Sequence, residues 1–435
     1  MLPTISAAAL ALRQGTVRSV QLVEQCLARI DQVESRVRAW VLIDRKEALA
    51  AAARCDEELR RGQDRGPLHG IPVGIKDIID VYDWPTACGS QLWQHSIARH
   101  DAPVVRRLRQ AGAVLLGKTV TTAYASFDPP VTRNPWNLER TPGGSSSGSA
   151  AAVAAGMAFA TLATQTGGSI TRPASYCGVA SCKPTYGTVS TAGVLPLAAS
   201  MDHIGAMART VAEVAIVQQT ISDPNSRPTL LGQANRPPIL GRPSGMFRHR
   251  ADGQVNTALD TFCSDLVRRG AIVREIELPA SFLEVTERHR LMMAVEACDY
   301  HKERLERHPE DYPPRITSLL QEGLRYSAVE YARTKEHQRQ LIADLAVVLA
   351  GVDALLCPAT TGPAPDASST GDPLFNSPWS YTGLPVVAFP IGLSSEGLPL
   401  GVQLVGSAGG EGSLFALAEW CEASAEPLGE PPLSS

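Results

Sequence analysis

Apolar residues near the start of the chain recur at spacings of three and four, which is the spacing of one face of an α-helix. This pattern predicts an amphipathic helix over 19–40 and a second helix over the Ala-rich stretch 45–61. The pattern changes after residue 65. Apolar runs punctuated by Gly and Pro over 66–81 and 111–119 predict buried strands with turns.

Gly, Ser, Ala and Thr dominate residues 141–191. Such a composition is typical of flexible linkers. Within it, however, 150–160 has the pattern of a helix of small residues and 159–165 that of a strand. Small residues allow close backbone packing and tight turns. We therefore interpret this segment as part of the folded core.

The second half of the chain returns to strands after a helical region. Residues 280–345 are charged and helical in pattern, which predicts an insertion or cap, and 352–360, 383–393 and 397–406 predict buried strands. Helices that alternate with short apolar strands indicate an α/β fold with a mostly parallel or mixed central sheet.

We predict a single domain over 1–435 because no segment reads as a linker. Its parts are N-terminal helices (1–65), a core with the candidate chemistry (66–220), the helical cap (280–345) and the returning strands (346–435).

Composition narrows the class of protein. The net charge is −4, so the chain lacks the strongly basic field that binds nucleic acid. We expect a small-molecule partner and no nucleic acid. We also expect a monomer or a homodimer. No run of 18 apolar residues occurs, and the N-terminal stretch lacks the basic residues of a signal peptide, so we expect no membrane association and a cytoplasmic location. Nine scattered cysteines lack a repeated CxxC spacing, which argues against a zinc site or a disulfide framework.

Several hydrolase motifs were compared with the sequence. Residues 144–148 satisfy G-x-S-x-G, but a polar, Pro-containing stretch precedes them where a nucleophile elbow needs a buried strand. No Ser-x-x-Lys, HExxH, P-loop or dinucleotide-binding motif occurs, so we expect neither a cofactor nor a metal.

Lysine is rare in this chain, with six against 34 arginines, so each lysine merits attention. Lys76 lies among Ile75, Ile78 and Ile79. An apolar setting disfavours the charged form, lowers the pKa and suits a general base. The alternative is an ion pair with Asp77 or Asp80 at a strand end.

The segment TQTGGSI (164–170) follows a predicted strand, and its glycines allow backbone N–H groups to converge. Such a nest suits an oxyanion, with Thr166, Gly167, Gly168 and Ser169 as donors and Ser169 placed to attack. The alternative is a tight structural turn.

Ordered blocks over nearly the whole chain resemble the amidase signature family. They are SVQLVEQCLARI, GIPVGIKDIID, TRNPWN, TPGGSSSGSAAAVAAG, TGGSI, DHIGAMARTVAEVA, DALLCPAT and GLPLGVQLVG. The resemblance implies the amidase signature fold, a large mixed central β-sheet covered by helices on both faces. It also implies cleavage of C–N acyl bonds through an acyl-enzyme.

The resemblance further implies a role for each matching residue. Lys76 corresponds to the general base, Ser145 to a relay serine with a cis peptide bond, and Ser169 to the nucleophile. A neutral Lys76 would accept the proton of Ser169 through Ser145, and the proton would then pass to the leaving nitrogen.

The chain departs from the family beside the nucleophile. Many members read GTDTGGSIRxPA, whereas this chain has Gln165 in place of the Asp and Thr171-Arg172 in place of Arg-x. Gln165 cannot supply a negative charge, and we assign no catalytic role to these residues. This Gln-containing version with a shifted Arg resembles that of some stand-alone bacterial amidases, and the resemblance favours a free enzyme over an amidotransferase subunit.

Three functions stay open at this point. The leading one is an amidohydrolase of small neutral amides, such as aryl amides, carbamates (urethanes) or ureas. The others are the glutaminase subunit of a tRNA-dependent amidotransferase and an inactive scaffold. Segments 121–131, 280–345 and 371–381 are predicted to wall the pocket. Its candidate aromatic residues are Tyr124, Phe127, Phe375, Trp379 and Tyr381.

Overall fold

The computed structural model describes residues 2–232, 234 and 236–433. The strands are β1 (Trp40–Ile43), β2 (Pro72–Lys76), β3 (Val114–Thr119), β4 (Ala160–Gln165), β5 (Ala180–Lys183), β6 (His203–Ala208), β7 (Ile239–Pro243), β8 (Ile272–Ile276), β9 (Ala354–Pro358), β10 (Val386–Leu393) and β11 (Pro399–Val405).

The α-helices are α1 (Ile5–Arg13), α2 (Ser19–Val37), α3 (Arg45–Arg60), α4 (Pro103–Gln110), α5 (Ser147–Ala154), α6 (Thr171–Cys177), α7 (Val211–Ile221), α8 (Met246–His249), α9 (Gly253–Arg268), α10 (Val285–Arg307), α11 (Pro314–Gly323), α12 (Ala328–Leu349), α13 (Ser377–Tyr381) and α14 (Glu411–Glu422). Short 3-10 helices lie at Ala123–Ala125, Pro224–Ser226, Ala280–Glu284 and Pro309–Asp311. Across the part of the chain that is described, no helix is both long and apolar enough to cross a membrane.

The eleven strands found among the described residues join one mixed sheet in the order β1-β3-β2-β4-β6-β5-β10-β11-β9-β7-β8. β2 is parallel to both β3 and β4, and β7 is parallel to β8 and β9. The strands between these two groups pair antiparallel. The predicted α/β fold with a large mixed sheet is therefore confirmed.

Alternating residues of the central strands point to two different hydrophobic clusters. Leu162 and Ala206 belong to the large cluster, whereas their neighbours Ala163 and Met207 pack with residues of α5 and α6. Because successive side chains of a strand point to opposite faces, both faces of the sheet are covered by helices.

Two predicted helices end earlier than expected. The helix predicted over 19–40 ends at Val37, because Glu34 accepts hydrogen bonds from the N–H groups of Ala39 and Trp40 and turns the chain into β1. The helix predicted over 150–160 runs from Ser147 to Ala154 and is followed by Gly156 with φ 72°.

The strands β1, β5, β6, β7 and β8 were not predicted. β8 is mostly exposed at the edge of the sheet, so it carries little apolar signal. Residues 280–345 contain α10, α11 and most of α12 and no strand in this fully described segment. Its role as a cap, and the single domain over 1–435, remain predictions.

The parallel pairing of β2 and β4 brings two loops to one edge of the sheet. β2 ends at Lys76, and β4 ends at Gln165, four residues before Ser169. The start of α5 lies against the ends of neighbouring strands: a Cβ on Gly148 would lie 2.2 Å from the carbonyl oxygen of Ala39, just before β1, and 2.4 Å from the nitrogen of Val120, just after β3. The small residues of this segment are therefore a packing requirement.

A buried ion pair supports the end of β2. Lys118 of β3 is fully buried, and its Nζ lies 2.9 Å from Oδ1 of Asp77, the residue after Lys76. Lys118 also donates to the carbonyl oxygen of Pro85 and the hydroxyl of Thr86, at 3.0 and 3.2 Å. Breaking a buried pair leaves an uncompensated charge, which costs more than the pair itself contributes.

We therefore expect Lys118→Met to lower the free energy of unfolding by about 3–5 kcal/mol, because Asp77 would remain buried without its cation. Denaturant unfolding would measure this. Lys46→Met, at an exposed position in α3, should change stability by less than about 0.5 kcal/mol. Adding Asp77→Asn to Lys118→Met should recover part of the loss. Equal effects of the Lys118 and Lys46 variants would contradict this account.

Candidate active site

Lys76 is fully buried at the end of β2. Its Nζ donates hydrogen bonds to Oγ of Ser145 at 2.7 Å and to Oγ1 of Thr164 at 2.8 Å. Burial lowers the pKa of Lys76 to about 7, and the distant charge of Asp202 only partly opposes this. The amine is therefore dry, hydrogen-bonded to hydroxyl groups and able to be neutral near pH 7.

The predicted alternative, an ion pair of Lys76 with Asp77 or Asp80, is not formed. Asp77 pairs with Lys118 instead. Asp80 uses its backbone N–H and carbonyl groups in hydrogen bonds with Gly193 and Ala102. Lys76 is therefore desolvated and has no carboxylate partner.

Ser145 lies in the loop before α5, and the Gly144–Ser145 peptide bond is cis. Its carbonyl oxygen accepts a hydrogen bond from the N–H of Thr122 at 3.1 Å. The carbonyl oxygen of Gly144 accepts one from Nη2 of Arg172 at 2.7 Å. The loop of Ser145 is therefore tied to the helix that follows Ser169.

Ser146, the central serine of the G-x-S-x-G match, is buried and donates to the carbonyl oxygen of Thr164 at 3.2 Å. The fully described stretch from the end of β3 at Thr119 to Ser146 contains no strand, so none leads directly into this serine. The geometry agrees with the rejection of this motif as a nucleophile elbow.

Ser169 lies in the loop 166–170 between β4 and α6. Its side chain is half-buried, and its hydroxyl makes no hydrogen bond to any residue that the structure describes. The structure thus joins Lys76 to Ser145 directly and brings Ser169 to the same edge of the sheet. Catalytic hydrogen bonds often tighten only when substrate is bound.

The backbone N–H groups of Gly167, Gly168 and Ser169 are unpaired among the described residues, whereas those of Ile170 and Thr171 are bonded to Gln165. Gly168 is required at its position because a Cβ there would lie 2.7 Å from Oδ1 of Asn376. Gly167 has ordinary space around it. The role of these donors, together with Thr166, as an oxyanion hole remains a prediction.

Gln165 orders this loop without a charge. Its Oε1 accepts hydrogen bonds from the N–H groups of Ile170 and Thr171, at 2.8 and 3.0 Å, and its Nε2 donates to Oγ of Ser380 at 3.1 Å. A neutral amide therefore holds both ends of the nucleophile loop where many family members have an aspartate.

Arg172 is fully buried and pairs with no carboxylate. It donates to Gly144 through Nη2, while Nε and Nη1 have no partner among the described residues, and burial lowers its pKa. The hydroxyl of Thr171 is also buried without a partner there. Arg172 therefore holds the loop of Ser145 through its hydrogen bond to the carbonyl oxygen of Gly144.

Asp202 lies beneath the loop and is half-buried, and desolvation of its carboxylate raises its pKa to about 6. Its carboxylate accepts hydrogen bonds from the hydroxyl of Thr166 and from the N–H groups of Leu197 and Ala198. It is the principal negative charge that acts on Lys76.

Four of the five predicted pocket aromatics are fully buried. Phe375 and Trp379 pack with Phe247 in the core, at ring-centroid distances of 5.1 and 5.8 Å. Tyr381 donates to the carbonyl oxygen of Thr334. Tyr124, the fourth, stacks on Tyr312 at 4.5 Å and bonds to Asp311.

Phe127 is the exception, because it is partly exposed and lies under the guanidinium of Arg290. The buried positions of the other four favour a role in packing. Contact of any of the five with substrate remains a prediction.

One group of side chains has the donor atoms of a metal site. Sγ of Cys55, an oxygen of Glu58 and a ring nitrogen of His69 lie within 4.8 Å of one another. Both nitrogens of His69 are already engaged, with Glu58 and with the N–H of Arg65. The group precedes β2, at the opposite end of that strand from Lys76, so it has no part in the candidate site.

A cavity of about 1060 Å³ lies between the N-terminal residues, α2 and the C-terminal segment 425–431. Its wall includes Arg29, Arg209, Glu419 and Glu422, but neither Lys76 nor the two serines. The cavity is therefore separate from the candidate catalytic residues.

Sequence reasoning missed the second acceptor of Lys76, the bonding role of Gln165 and the carboxylate of Asp202. Thr164 could have been found, because it lies on the strand that leads to the GGSI motif. Gln165 was noticed only as a departure from the family pattern, and its partner Ser380 carries no sequence signal.

Comparisons with known proteins identify the family of the chain. A family model described as amidase matches residues 21–415. The A subunit of the glutamyl-tRNA(Gln) amidotransferase of Roseiflexus sp. (strain RS-1) is 35% identical, and the match covers 96% of this chain and 95% of that protein.

Two solved structures are similar over their full length. A crystal structure described as amidase has a TM-score of 0.90 and 34% identity, covering 98% of this chain and 100% of its own. The peptide amidase from Stenotrophomonas maltophilia has a TM-score of 0.85 and 30% identity, covering 99% of each chain. The chain therefore belongs to the amidase family, the amidase signature enzymes, as its motifs predicted.

Proposed function

We propose that this protein is a free-standing amidohydrolase of small neutral amides, including aryl amides, carbamates and ureas. Ser169 is the nucleophile, Ser145 the proton relay and Lys76 the general base. The observation that carries this proposal is the 2.7 Å hydrogen bond between Ser145 and a buried Lys76 whose pKa is lowered to about 7.

In the proposed reaction one proton moves from Ser169 to Lys76 and later moves from Lys76 to the leaving nitrogen. Ser169 attacks the acyl carbon as its proton passes through Ser145 to neutral Lys76. The N–H groups of residues 166–169 stabilise the oxyanion that forms. The proton then returns to the leaving nitrogen, because an amide anion leaves poorly. Water cleaves the ester on Ser169 by the same route, so no cofactor or metal is invoked.

The preference for neutral substrates follows from the surroundings of Ser169. The segments 119–127, 142–149, 164–171 and 376–382 contain no Asp, Glu, Lys or Arg. They contact one another through the bonds of Thr122 with Ser145 and of Ser380 with Gly167. The charged groups beside these segments, Asp202 and Arg172, bond to Thr166 and Gly144. The zwitterionic head of glutamine would need further counter-charges that the segments themselves do not supply.

The second candidate is the glutaminase subunit of a tRNA-dependent amidotransferase. It is favoured by the 35% identity to a glutamyl-tRNA(Gln) amidotransferase subunit over nearly the full length of both chains. Such a glutaminase and a free-standing amidase would share the catalytic residues, so substrate choice and dependence on partner subunits distinguish them.

Ser169→Ala should lower amidase kcat by at least about 10³-fold, and Lys76→Ala by nearly as much, because groups that act as one unit are not additive. Ser145→Ala should lose much amide turnover yet keep slow esterase activity, since an ester leaving group needs less proton transfer. Ser147→Ala, with only a 3.4 Å bond to Val120, is the matched control. A tenth of wild-type amidase rate in Ser169→Ala would refute the assignment.

The pH profile reports the base. The pKa of Lys76 is lowered to about 7, so the amine is protonated and inactive below that value and neutral above it. We expect kcat/KM to rise with pH, with an apparent pKa near 7, and to level off on the alkaline side. Burial lowers the pKa of nearby His203 well below 6.5, so His203→Gln should keep the same midpoint. A midpoint abolished by replacing one histidine would exclude the lysine mechanism.

A substrate panel tests the preference. Purified chain alone should hydrolyse 4-nitroacetanilide or a phenyl carbamate with a kcat/KM at least about tenfold above that for glutamine, because burying the charges of glutamine costs free energy. The Ser169→Ala variant provides the background rate. Glutamine at parity with the anilide, or glutaminase activity that requires partner subunits, would favour the second candidate.

A further inference from the structure

His289 connects the helical segment to the nucleophile loop. It lies in α10, is buried, and its Nε2 is 2.9 Å from the carbonyl oxygen of Thr166. A carbonyl oxygen can only accept, so His289 carries its proton on Nε2 and donates it to this bond. Burial lowers the pKa of His289 to about 4, which keeps the ring neutral at the pH of the reaction.

The next carbonyl along the loop is held from a different helix. Oγ of Ser380, in α13, donates to the carbonyl oxygen of Gly167 at 2.7 Å. The same hydroxyl accepts from Nε2 of Gln165 at 3.1 Å, which fixes the direction of its own proton. The carbonyl oxygen of Gly168 accepts from the backbone N–H of Arg172 in α6, at 2.9 Å.

Three consecutive carbonyl groups are therefore held by three separate helices. In a trans peptide the C=O of one residue and the N–H of the next point in opposite directions. Holding the carbonyls of Thr166, Gly167 and Gly168 thus fixes the N–H groups of Gly167, Gly168 and Ser169 on their other side. These are the N–H groups that have no partner among the described residues.

We propose that His289 and Ser380 are positioning residues that pre-orient the oxyanion donors of the Ser169 loop. This inference rests on the proposed function. His289 acts as a neutral hydrogen-bond donor to a backbone carbonyl and takes no proton from substrate. Its effect is confined to states in which negative charge develops on the acyl oxygen.

A pair of substitutions isolates the hydrogen bond from the bulk of the ring. His289→Leu removes the donor, whereas His289→Gln offers an amide N–H at a similar reach. We expect His289→Leu to lower kcat about tenfold or more while KM stays within about twofold of the wild-type value. His289→Gln should keep most of the wild-type kcat. The apparent pKa of kcat/KM should be unchanged, because Lys76 is untouched.

Two further measurements separate positioning from general destabilisation. The affinity for phenylboronic acid, which forms a tetrahedral adduct with a serine, should fall in parallel with kcat, while the affinity for planar benzamide should not. The same substitutions at His69, a buried histidine at the opposite end of β2, are the control for loss of a buried ring. They should alter stability but not the ratio of the two affinities.

Ser380→Ala provides an independent test if His289→Leu does not fold, since it releases the adjacent peptide. It should show the same fall in kcat and in boronate affinity. The rate at which a fluorophosphonate labels Ser169 supplies a readout that needs no amide substrate.

The outcomes separate this inference from the proposed function. Slower labelling and turnover in His289→Leu, with recovery in His289→Gln, would support both. Wild-type rates in both His289→Leu and Ser380→Ala, in an enzyme whose activity is lost in Ser169→Ala, would overturn the positioning role alone. A wild-type chain that neither turns over amides nor labels at Ser169 would overturn the proposed function and this inference with it.

Discussion

The burial of Lys76 without a carboxylate is the constraint from which the arrangement of this site follows. An ammonium group in an apolar interior is strongly disfavoured, so the fold must either pair it or let it lose its proton. Here the adjacent Asp77 is held by Lys118, and Lys76 is left with the hydroxyl groups of Ser145 and Thr164. The desolvated amine thereby gains a pKa of about 7. One buried ion pair thus keeps a second lysine unpaired.

Close packing of small residues makes this desolvation possible. The helix α5 lies so near β3 and β1 that Gly148 has no room for a side chain. Its serines bond to the strands beneath: Ser149 donates to Leu162, and Thr161 of β4 donates to the carbonyl oxygen of Ser149. A segment that resembles a linker in composition is therefore among the most tightly packed parts of the molecule.

The Ser169 loop is ordered by neutral groups. Gln165, Ser380 and His289 hold its backbone, while Arg172 lies behind the relay loop. The charged groups beside these loops are Lys76, the half-buried Asp202 and the buried Arg172. Relatives with the same fold include a peptide amidase and an amidotransferase subunit. The shared scaffold leaves substrate choice to the residues around the loop.

Periodicity and motif by themselves determined the class of fold, the positions of β2, β3 and β4, and the apolar setting of Lys76. The serine roles came from the family resemblance, because a Gly-Gly-Ser triplet alone is more often a turn. Tertiary structure alone decided which partner Asp77 takes, where the aromatic side chains pack, and which residues hold the loop. His289 lies 123 residues from Thr166, and Ser380 lies 213 from Gly167. The local sequence pattern encodes whether a residue is buried and whether it lies in a helix or a strand. A contact between distant segments depends instead on the order of the strands in the sheet, which is settled only when the whole core packs.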